Sequence, residues 1–311
     1  MQRLRRWAKK LGLVVLELFV VLTLASVAYN LATADRVKPA SAFYGGPFVS
    51  VDGKQVAFRR WGARGTPVVL LGGFIVPSSV WEAVARRLSG RHRVFAVDLP
   101  PFGYTERKGP YTLDGWVHLV HDFDRRLGLQ RPLLVGHSLG AAVVVADVLR
   151  YPGDSRGIVL LDGDALSAGG PPPWVSKVLV GPWFTSIFRI VTGSDWIFRR
   201  GLAGAYPNHP PFTKQFLNEW EQPFKVQGTL DAFRSTLKYG IQGLHLAQLR
   251  AVRDRALVLW GARDTVDPVS AGRRSAAALR APFRVLPGAG HLSMLASPDA
   301  IAHAINSFAG H

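Results

Sequence analysis

Five residues, Gly136-His137-Ser138-Leu139-Gly140, place one serine between an apolar segment (132–135) and an Ala/Val-rich segment (141–149). This flanking composition predicts a strand before the pentapeptide and a helix after it. Two glycines permit a turn sharp enough to lift the serine hydroxyl above the sheet edge, beside a helix N-terminus that favours negative charge. We therefore expect Ser138 to be a nucleophile at the C-terminal end of a strand.

A nucleophilic serine needs a base that takes its proton and a carboxylate that orients the base. The sequence supplies both, in the order Ser, Asp, His. Asp264 follows the apolar strand predicted at 257–260, and His291 ends the loop after a further strand predicted at 283–286. Alternating strands and helices indicate a mainly parallel sheet, whose chemistry collects at the C-terminal ends of the strands. We expect Ser138, Asp264 and His291 to form a catalytic triad at that edge.

The order of these segments resembles the α/β-hydrolase fold superfamily, within it the group that has a cap inserted after the sixth strand. The resemblance runs from about Phe43 to the C-terminus. It rests on five markers in family order: 71–74, 98–103, 136–140, 261–264 and 290–291. Two positions depart from the common pattern, since many relatives have His-Gly in place of Gly72-Gly73 and glycine in place of Pro101.

The resemblance implies which groups complete the site. It favours Asp264 as the acid over Asp267, which lies in the same loop. Asp162 and Asp164, after the strand predicted at 158–161, are a further alternative, because some relatives carry the acid there. Asp264 could instead cap the helix that follows it. The oxyanion hole would be formed by the backbone amides of Leu139 and Phe74, and main-chain donors do not depend on the Gly72-Gly73 departure.

A serine at this position predicts attack on an acyl carbonyl, an acyl-enzyme, and deacylation by water that His291 activates. Relatives that open epoxides or displace halide carry aspartate there, so those reactions are not expected. Carboxylic-ester hydrolysis is the first expectation. Acyl transfer, C–C bond hydrolysis, perhydrolysis and non-catalytic binding of a hydrophobic ligand stay as alternatives. The sequence has no metal-ligand spacing and no phosphate-binding glycine-rich motif, so we expect neither a metal nor a cofactor.

The N-terminus carries a second signal. Residues 1–10 include five basic side chains, and residues 11–32 are almost wholly apolar, with Glu17 as the single ionisable group. About 20 apolar residues suffice to span a bilayer as a helix. We expect a retained anchor with a cytoplasmic N-terminus and an extracytoplasmic catalytic domain. The alternative is a cleaved signal peptide, because Ser26-Val27-Ala28 resembles a cleavage site, and it would give a secreted or periplasmic enzyme.

The remaining chain predicts one α/β-hydrolase domain over 43–311, with a helical cap at about 165–250. Its first two strands are expected between Phe43 and Trp61, and its first helix at Ser79 to Leu88. That insertion is rich in aromatic residues, most of which we expect to pack within the cap and a minority to line an apolar acyl pocket. The net charge of +17 is spread along the chain and could hold the domain against anionic lipid. No recognition motif accompanies this charge, so we do not expect nucleic-acid binding. The predicted partners are an ester or lipid substrate and the membrane.

Overall fold

The computed structural model describes residues 2–310 except 168–171, 173, 175–178, 180, 182 and 241. The described residues form one eight-stranded sheet in the order β1-β2-β4-β3-β5-β6-β7-β8. The strands are β1 (Phe48–Val51), β2 (Lys54–Trp61), β3 (Thr66–Leu71), β4 (His92–Val97), β5 (Leu133–His137), β6 (Gly157–Leu161), β7 (Ala256–Gly261) and β8 (Phe283–Leu286). β1, β2 and β4 pair antiparallel, and every other pairing is parallel. The mainly parallel α/β architecture predicted from the sequence is therefore confirmed.

Helices cover both faces of the sheet, which is why the central strands consist of apolar residues without alternation. All residues of β5, β6 and β7 are buried. The N-terminal helix is α1 (Gln2–Ala32). The helices that cover the sheet are α2 (Glu82–Leu88), α3 (Leu113–Arg126), α4 (Leu139–Arg150), α9 (Leu246–Ala251), α10 (Val269–Leu279), α11 (Ser293–Ala296) and α12 (Pro298–Ala309). Of these, α3, α4 and α10 contribute to one apolar core and α2 and α12 to another.

The register of the parallel strands brings distant parts of the chain to one edge. His137 pairs with Leu161, Leu161 is level with Leu259, and Gly261 pairs with Leu286. The residues that follow these strands therefore emerge side by side at the C-terminal edge of the sheet. This register brings Ser138, Asp264 and His291 to the same edge. Ser138 follows β5 directly, Asp264 lies in the loop after β7, and His291 lies in the loop after β8.

Between β6 and β7, where the cap is predicted, the described residues include the helices α5 (Phe184–Thr192), α6 (Asp195–Ala205), α7 (Lys214–Glu221) and α8 (Thr229–Tyr239), and α9 follows them before β7. Parts of the predicted cap, 168–171, 173, 175–178, 180, 182 and 241, lie outside the described residues. Leu179, Phe184 and Phe188 form a buried cluster against Phe224 and Phe233. These aromatic residues pack within the cap, in line with the expectation for most of them.

The N-terminal segment is one long helix. Within it, Lys9–Ala32 is 24 residues long and apolar enough to cross a membrane. Only 6% of an 18-residue apolar stretch within it is buried against the rest of the chain. The leucine and valine side chains of this stretch are largely exposed to the surroundings. The continuous apolar segment predicted over 11–32 is therefore helical throughout.

Two predicted elements are wrong at their first turn. The helix expected from Ser79 begins as a 3-10 turn at Ser78–Trp81 and becomes α-helical only at Glu82. Asp98 causes this, because its buried carboxylate accepts the Ser78 amide at 2.8 Å and holds the entry to the helix. The strand expected from Phe43 starts five residues later, after a 3-10 turn at Ala40–Ala42.

Candidate active site

Ser138 occupies the sharp turn between β5 and α4. Its φ of 51° and ψ of −118° lie in a region that non-glycine residues rarely adopt. The surrounding structure holds this conformation, since the Ser138 amide donates to the Leu161 carbonyl oxygen at 3.0 Å. A methyl group on Gly140 would lie 2.9 Å from the carbonyl oxygens of Leu71 and Gly72. The start of α4 thus packs directly on the end of β3, and this close approach requires glycine at position 140.

The loop that follows β3 passes against the nucleophile. A methyl group on Gly73 would come within 2.7 Å of Ser138 Cβ and 3.2 Å of Ser138 Oγ, so only glycine fits there. A methyl group on Gly72 would lie 2.7 Å from the Val76 carbonyl oxygen. The path of this loop therefore accounts for the Gly72-Gly73 pair that departs from the common family pattern.

Two backbone amides beside Ser138 are candidates for the oxyanion hole. Leu139 is the first residue of α4, so its amide has no acceptor within the helix. Phe74 follows Gly73 on the loop, and its ring lies 4.9 Å from that of Phe102 and 5.5 Å from that of Phe233. Neither amide donates to any group in the described part of the chain. Both are available to an oxyanion formed at Ser138.

His291 and Asp264 meet at the same edge. His291 Nδ1 lies 2.8 Å from Asp264 Oδ2, and the Asp264 side chain is fully buried. The other oxygen, Oδ1, accepts the amides of Val266 at 2.8 Å and Asp267 at 2.9 Å. Both carboxylate oxygens of Asp264 therefore accept hydrogen bonds from the protein, which hold the group in place. Because Asp264 accepts a hydrogen bond from Nδ1–H, the proton of neutral His291 is on Nδ1. Nε2 therefore carries the lone pair of a base.

The electrostatics of His291 suit that role. Burial lowers the pKa of His291, but the hydrogen bond to Asp264 and the charges of Asp264, Asp162 and Asp267 outweigh burial, and the net pKa is raised above 6.5. A raised pKa makes the neutral Nε2 a stronger base, and the buried carboxylate stabilises the imidazolium that forms once Nε2 takes up a proton.

Asp162, which the sequence left open as an alternative acid, has a different task. Its Oδ1 accepts the Gly261 amide at 2.7 Å, and its Oδ2 accepts both the hydroxyl and the amide of Ser293. It joins the ends of β6 and β7 to the segment just after His291. Burial raises the pKa of Asp162 to about 7, against the lowering effect of the Ser293 and Gly261 hydrogen bonds. The structure thus places Asp264, and not Asp162, on His291.

Asp267, the other alternative, also does not hydrogen-bond to His291. Its backbone carbonyl accepts Trp260 Nε1 at 3.1 Å, which anchors the loop that carries Asp264. Burial raises the pKa of the Asp267 carboxyl, and the charge of His291 opposes that rise. Asp267 therefore acts on His291 only through the electric field.

His137 supports the loop of His291, a role that sequence reasoning missed. It is fully buried, and its Nε2 lies 2.8 Å from the His291 carbonyl oxygen. Burial and the neighbouring His291 lower the pKa of His137 well below 6.5, so the ring is neutral and Nε2–H donates to the carbonyl. The sequence signal was its position next to Ser138, which puts it beneath the incoming loop. Across the described residues, no group of three or more His, Asp or Glu side chains is placed to hold a metal ion.

We expect Asp162→Ala to lower the free energy of unfolding by about 2–4 kcal/mol, because it leaves the buried Ser293 hydroxyl and Gly261 amide without acceptors. Urea denaturation of the variant measures this loss. Asp267→Ala is the matched control, since its side chain accepts no hydrogen bond from the described residues. Equal losses for the two variants would contradict the structural role of Asp162.

Comparison with known proteins places this geometry in a family. The sequence model of the alpha/beta hydrolase family matches residues 68–304. The chain is 24% identical over 263 residues to the uncharacterized hydrolase YugF of Bacillus subtilis, covering 83% of this chain and 96% of that protein. It is 29% identical over 225 residues to 2-hydroxy-6-oxo-2,4-heptadienoate hydrolase of Pseudomonas putida, covering 68% and 76%.

Among solved structures, a membrane phospholipase A described as a bacterial virulence factor superposes with a TM-score of 0.68 at 25% identity. The match covers 99% of this chain and 98% of that one. A meta-cleavage product hydrolase of Pseudomonas fluorescens superposes with a TM-score of 0.69 at 21% identity, over 85% and 97% of the two chains. The family match, the strand order and the elbow agree, and the chain belongs to the alpha/beta hydrolase family.

Proposed function

We propose that this protein is a membrane-anchored serine hydrolase that cleaves carboxylic esters, with apolar, lipid-like esters as its substrates. The observation that carries the proposal is the arrangement at the sheet edge. Ser138 is held on a strained turn, and His291, paired with Asp264 at 2.8 Å, has no hydrogen-bond partner at Nε2 among the described residues. Strain at a non-glycine residue persists where the structure over-determines it, which is typical of functional sites.

Each proposed role follows from the position of the group. Ser138 Oγ attacks the ester carbonyl while His291 Nε2 takes the hydroxyl proton, and Asp264 stabilises the imidazolium that forms. The amides of Leu139 and Phe74 bind the oxyanion of the tetrahedral intermediate. The proton returns through His291 to the leaving alcohol, and water then hydrolyses the acyl-enzyme by the same route in reverse. In the described residues, Ser138 Oγ has no hydrogen-bond partner, and such contacts tighten when substrate binds.

An apolar acyl group suits the surroundings of the nucleophile. Phe74, Phe102 and Phe233 lie within 4.9 to 6.3 Å of each other, between the loop after β3 and the cap. Aromatic walls bind acyl chains and keep water from the acyl-enzyme. The likeness to the membrane phospholipase A extends over 99% of this chain, so it includes the N-terminal helix. These observations support a lipid-like ester over a small polar one.

The basic flank supports an orientation for the anchor. The N-terminal ten residues carry five basic side chains, and basic flanks stay on the cytoplasmic side. We place the catalytic domain on the opposite side of the membrane, where a retained α1 would tether it. Cleavage of α1 would release the same domain on that side.

C–C bond hydrolysis is the second candidate, favoured by the 29% identity to 2-hydroxy-6-oxo-2,4-heptadienoate hydrolase. It uses the same serine, histidine and aspartate, so the triad does not separate the two reactions. The difference lies in the leaving group, which is a carbanion equivalent instead of an alcohol. A 2-hydroxy-6-oxo-dienoate substrate, followed by loss of its absorbance, tests this candidate directly.

The first experiment is hydrolysis of p-nitrophenyl esters from acetyl to palmitoyl by the detergent-solubilised protein. We expect turnover that favours medium or long acyl chains, and a loss of about 10³-fold or more in Ser138→Ala, since removal of the nucleophile leaves only binding and oxyanion contributions. Release of p-nitrophenol measures both. No turnover above Ser138→Ala at any chain length, in folded protein, would reject ester hydrolysis.

We expect Asp264→Asn to reduce kcat by about 10³ to 10⁴-fold, because the amide no longer fixes the His291 tautomer or stabilises the imidazolium. The wild-type rate should fall as the pH drops through the raised pKa of His291, because protonated His291 is no base. In Asp264→Asn this acidic limb should move to lower pH, since the pKa of His291 falls. The pH dependence of kcat/KM measures the shift.

Asp267→Asn is the matched control in the same loop. It removes a charge near His291 but no hydrogen bond to it. We expect a smaller downward shift of the acidic limb and a loss in kcat of less than about tenfold. A larger loss in Asp267→Asn than in Asp264→Asn would exchange the roles of the two carboxylates.

A further inference from the structure

The N-terminal helix and the cap are joined along a polar seam. α5 runs beside the last third of α1 in the same direction, and contacts recur every three or four residues on both helices. The seam consists of Trp183 Nε1 to Thr23 Oγ1 (3.2 Å), Ser186 Oγ to Ser26 Oγ, and Arg189 Nη1 to the Asn30 carbonyl oxygen (2.6 Å) and Thr33 Oγ1 (2.8 Å). The rings of Phe19 and Trp183 lie 5.2 Å apart at its beginning. Small polar residues at such spacing are typical of helix pairs packed within a membrane.

This seam fixes the depth of α5. The candidate span Lys9–Ala32 has 24 residues, about 36 Å of helix at 1.5 Å per residue. The hydrocarbon core of a bilayer is about 30 Å thick. Thr23, Ser26 and Asn30 all lie in the last ten residues of the span, within about 15 Å of its end. A helix packed on them lies inside the leaflet at that end whenever α1 crosses the bilayer.

The outer face of α5 has the composition that such a position requires. Ile187, Ile190 and Val191 are 48%, 52% and 41% exposed, and their spacing puts them on one side of the helix. Phe184 and Phe188, on an adjacent side of the helix, are buried in the cap. An exposed apolar stripe on a helix is a liability in water and a contact surface in lipid.

Basic and aromatic groups mark the boundary of this surface. A cavity of about 170 Å³ lies where α1 and α5 end, and Tyr29, Arg36, Arg189 and Lys225 contribute to its wall. Trp196, at the start of α6, is 68% exposed and lies under the Arg200 guanidinium at 5.9 Å. Such residues collect at the level of lipid head groups.

We propose that α5 is embedded in the extracytoplasmic leaflet beside the end of α1, with Ile187, Ile190 and Val191 in contact with lipid acyl chains. The proposal rests on the anchored topology of the proposed function. The apolar face continues the lipid-facing surface of α1, so the occupant is the bilayer itself and not a separate protein.

This placement gives a lipid ester a short route to the nucleophile. The Phe188 ring on α5 lies 5.4 Å from Phe233, and Phe233 lies 5.5 Å from Phe74, whose amide is a proposed oxyanion donor. A chain of three aromatic rings thus leads from α5 to the site. A substrate acyl chain enters from the bilayer along these rings without crossing water.

The chain has no cysteine, so single cysteines report depth without a background. The full-length protein in phosphatidylcholine/phosphatidylglycerol vesicles carries a bimane label on Leu16→Cys in the span, Ile190→Cys on α5, or Arg91→Cys. Arg91 precedes β4 at the sheet edge opposite the site and is exposed. We expect lipids brominated on the acyl chain to quench the labels at 16 and 190 at least twofold and to leave the label at 91 unchanged.

Three other quenching patterns would each overturn the embedded position of α5. Quenching at 16 without quenching at 190 would overturn the embedded position of α5 while the anchor stands. No quenching at 16 would remove the anchor and this inference with it, although Ser138-dependent ester hydrolysis would still hold. Self-quenching at 190 that grows with protein concentration, without bromolipid quenching, would assign the face to a second copy and reject lipid.

A functional variant tests the route. We expect Ile190→Asp to reduce hydrolysis of long-chain lipid esters in vesicles about tenfold or more, because a carboxylate resists insertion into the leaflet. It should leave hydrolysis of p-nitrophenyl butyrate within about twofold of wild type. Val285→Asp is the matched control, as Val285 is an exposed apolar residue on β8, outside the cap. Equal losses in both variants, or equal losses on both substrates in Ile190→Asp, would overturn the route.

Discussion

The turn at Ser138 is the constraint on which the rest of the site depends. A serine at φ 51° can be held only if the chain on every side approaches closely. Glycine therefore stands at 73 and 163, where a methyl group would lie 2.7 Å or less from atoms of Ser138. The end of β3, the end of β6 and the start of α4 converge on one residue. Burial of the strands stabilises this convergence, and the strain is offset by the core beneath it.

Asp162 and Asp264 follow neighbouring strands, and their carboxylates have different roles because their surroundings differ. Asp264 accepts hydrogen bonds from two amides and from the His291 imidazole, so its carboxylate is held in place beside that ring. Asp162 accepts from Gly261 and Ser293, and burial raises its pKa to about 7. Asp264 orients the His291 ring, and Asp162 fixes the loops that carry it. A site of this kind needs both, since an oriented base on a mobile loop would lose its alignment with Ser138.

Much of this site could be predicted from the sequence, because Ser138, Asp264 and His291 each follow an apolar strand and parallel strands end at one edge. The role of Asp162 could not be predicted, since both Asp162 and Asp264 follow the ends of adjacent strands in the sequence. Only the path of the chain, with Asp162 at φ 48°, shows that its carboxylate reaches Ser293. The first turn before α2 was mispredicted for a similar reason, because a distant carboxylate, Asp98, holds it.

The apolar pattern of the N-terminal segment did not predict which helix packs against it. An apolar run on all sides of a helix predicts a membrane span and says nothing about neighbours within the membrane. The signal was the polar spacing of Thr23, Ser26 and Asn30, and Ser26 fitted a cleavage site equally well. In the structure these residues bind the cap, so cleavage after Ala28 would remove most of the seam. A signal peptide has no physical reason to match a cap helix residue by residue, and this match supports the proposal that α1 is retained.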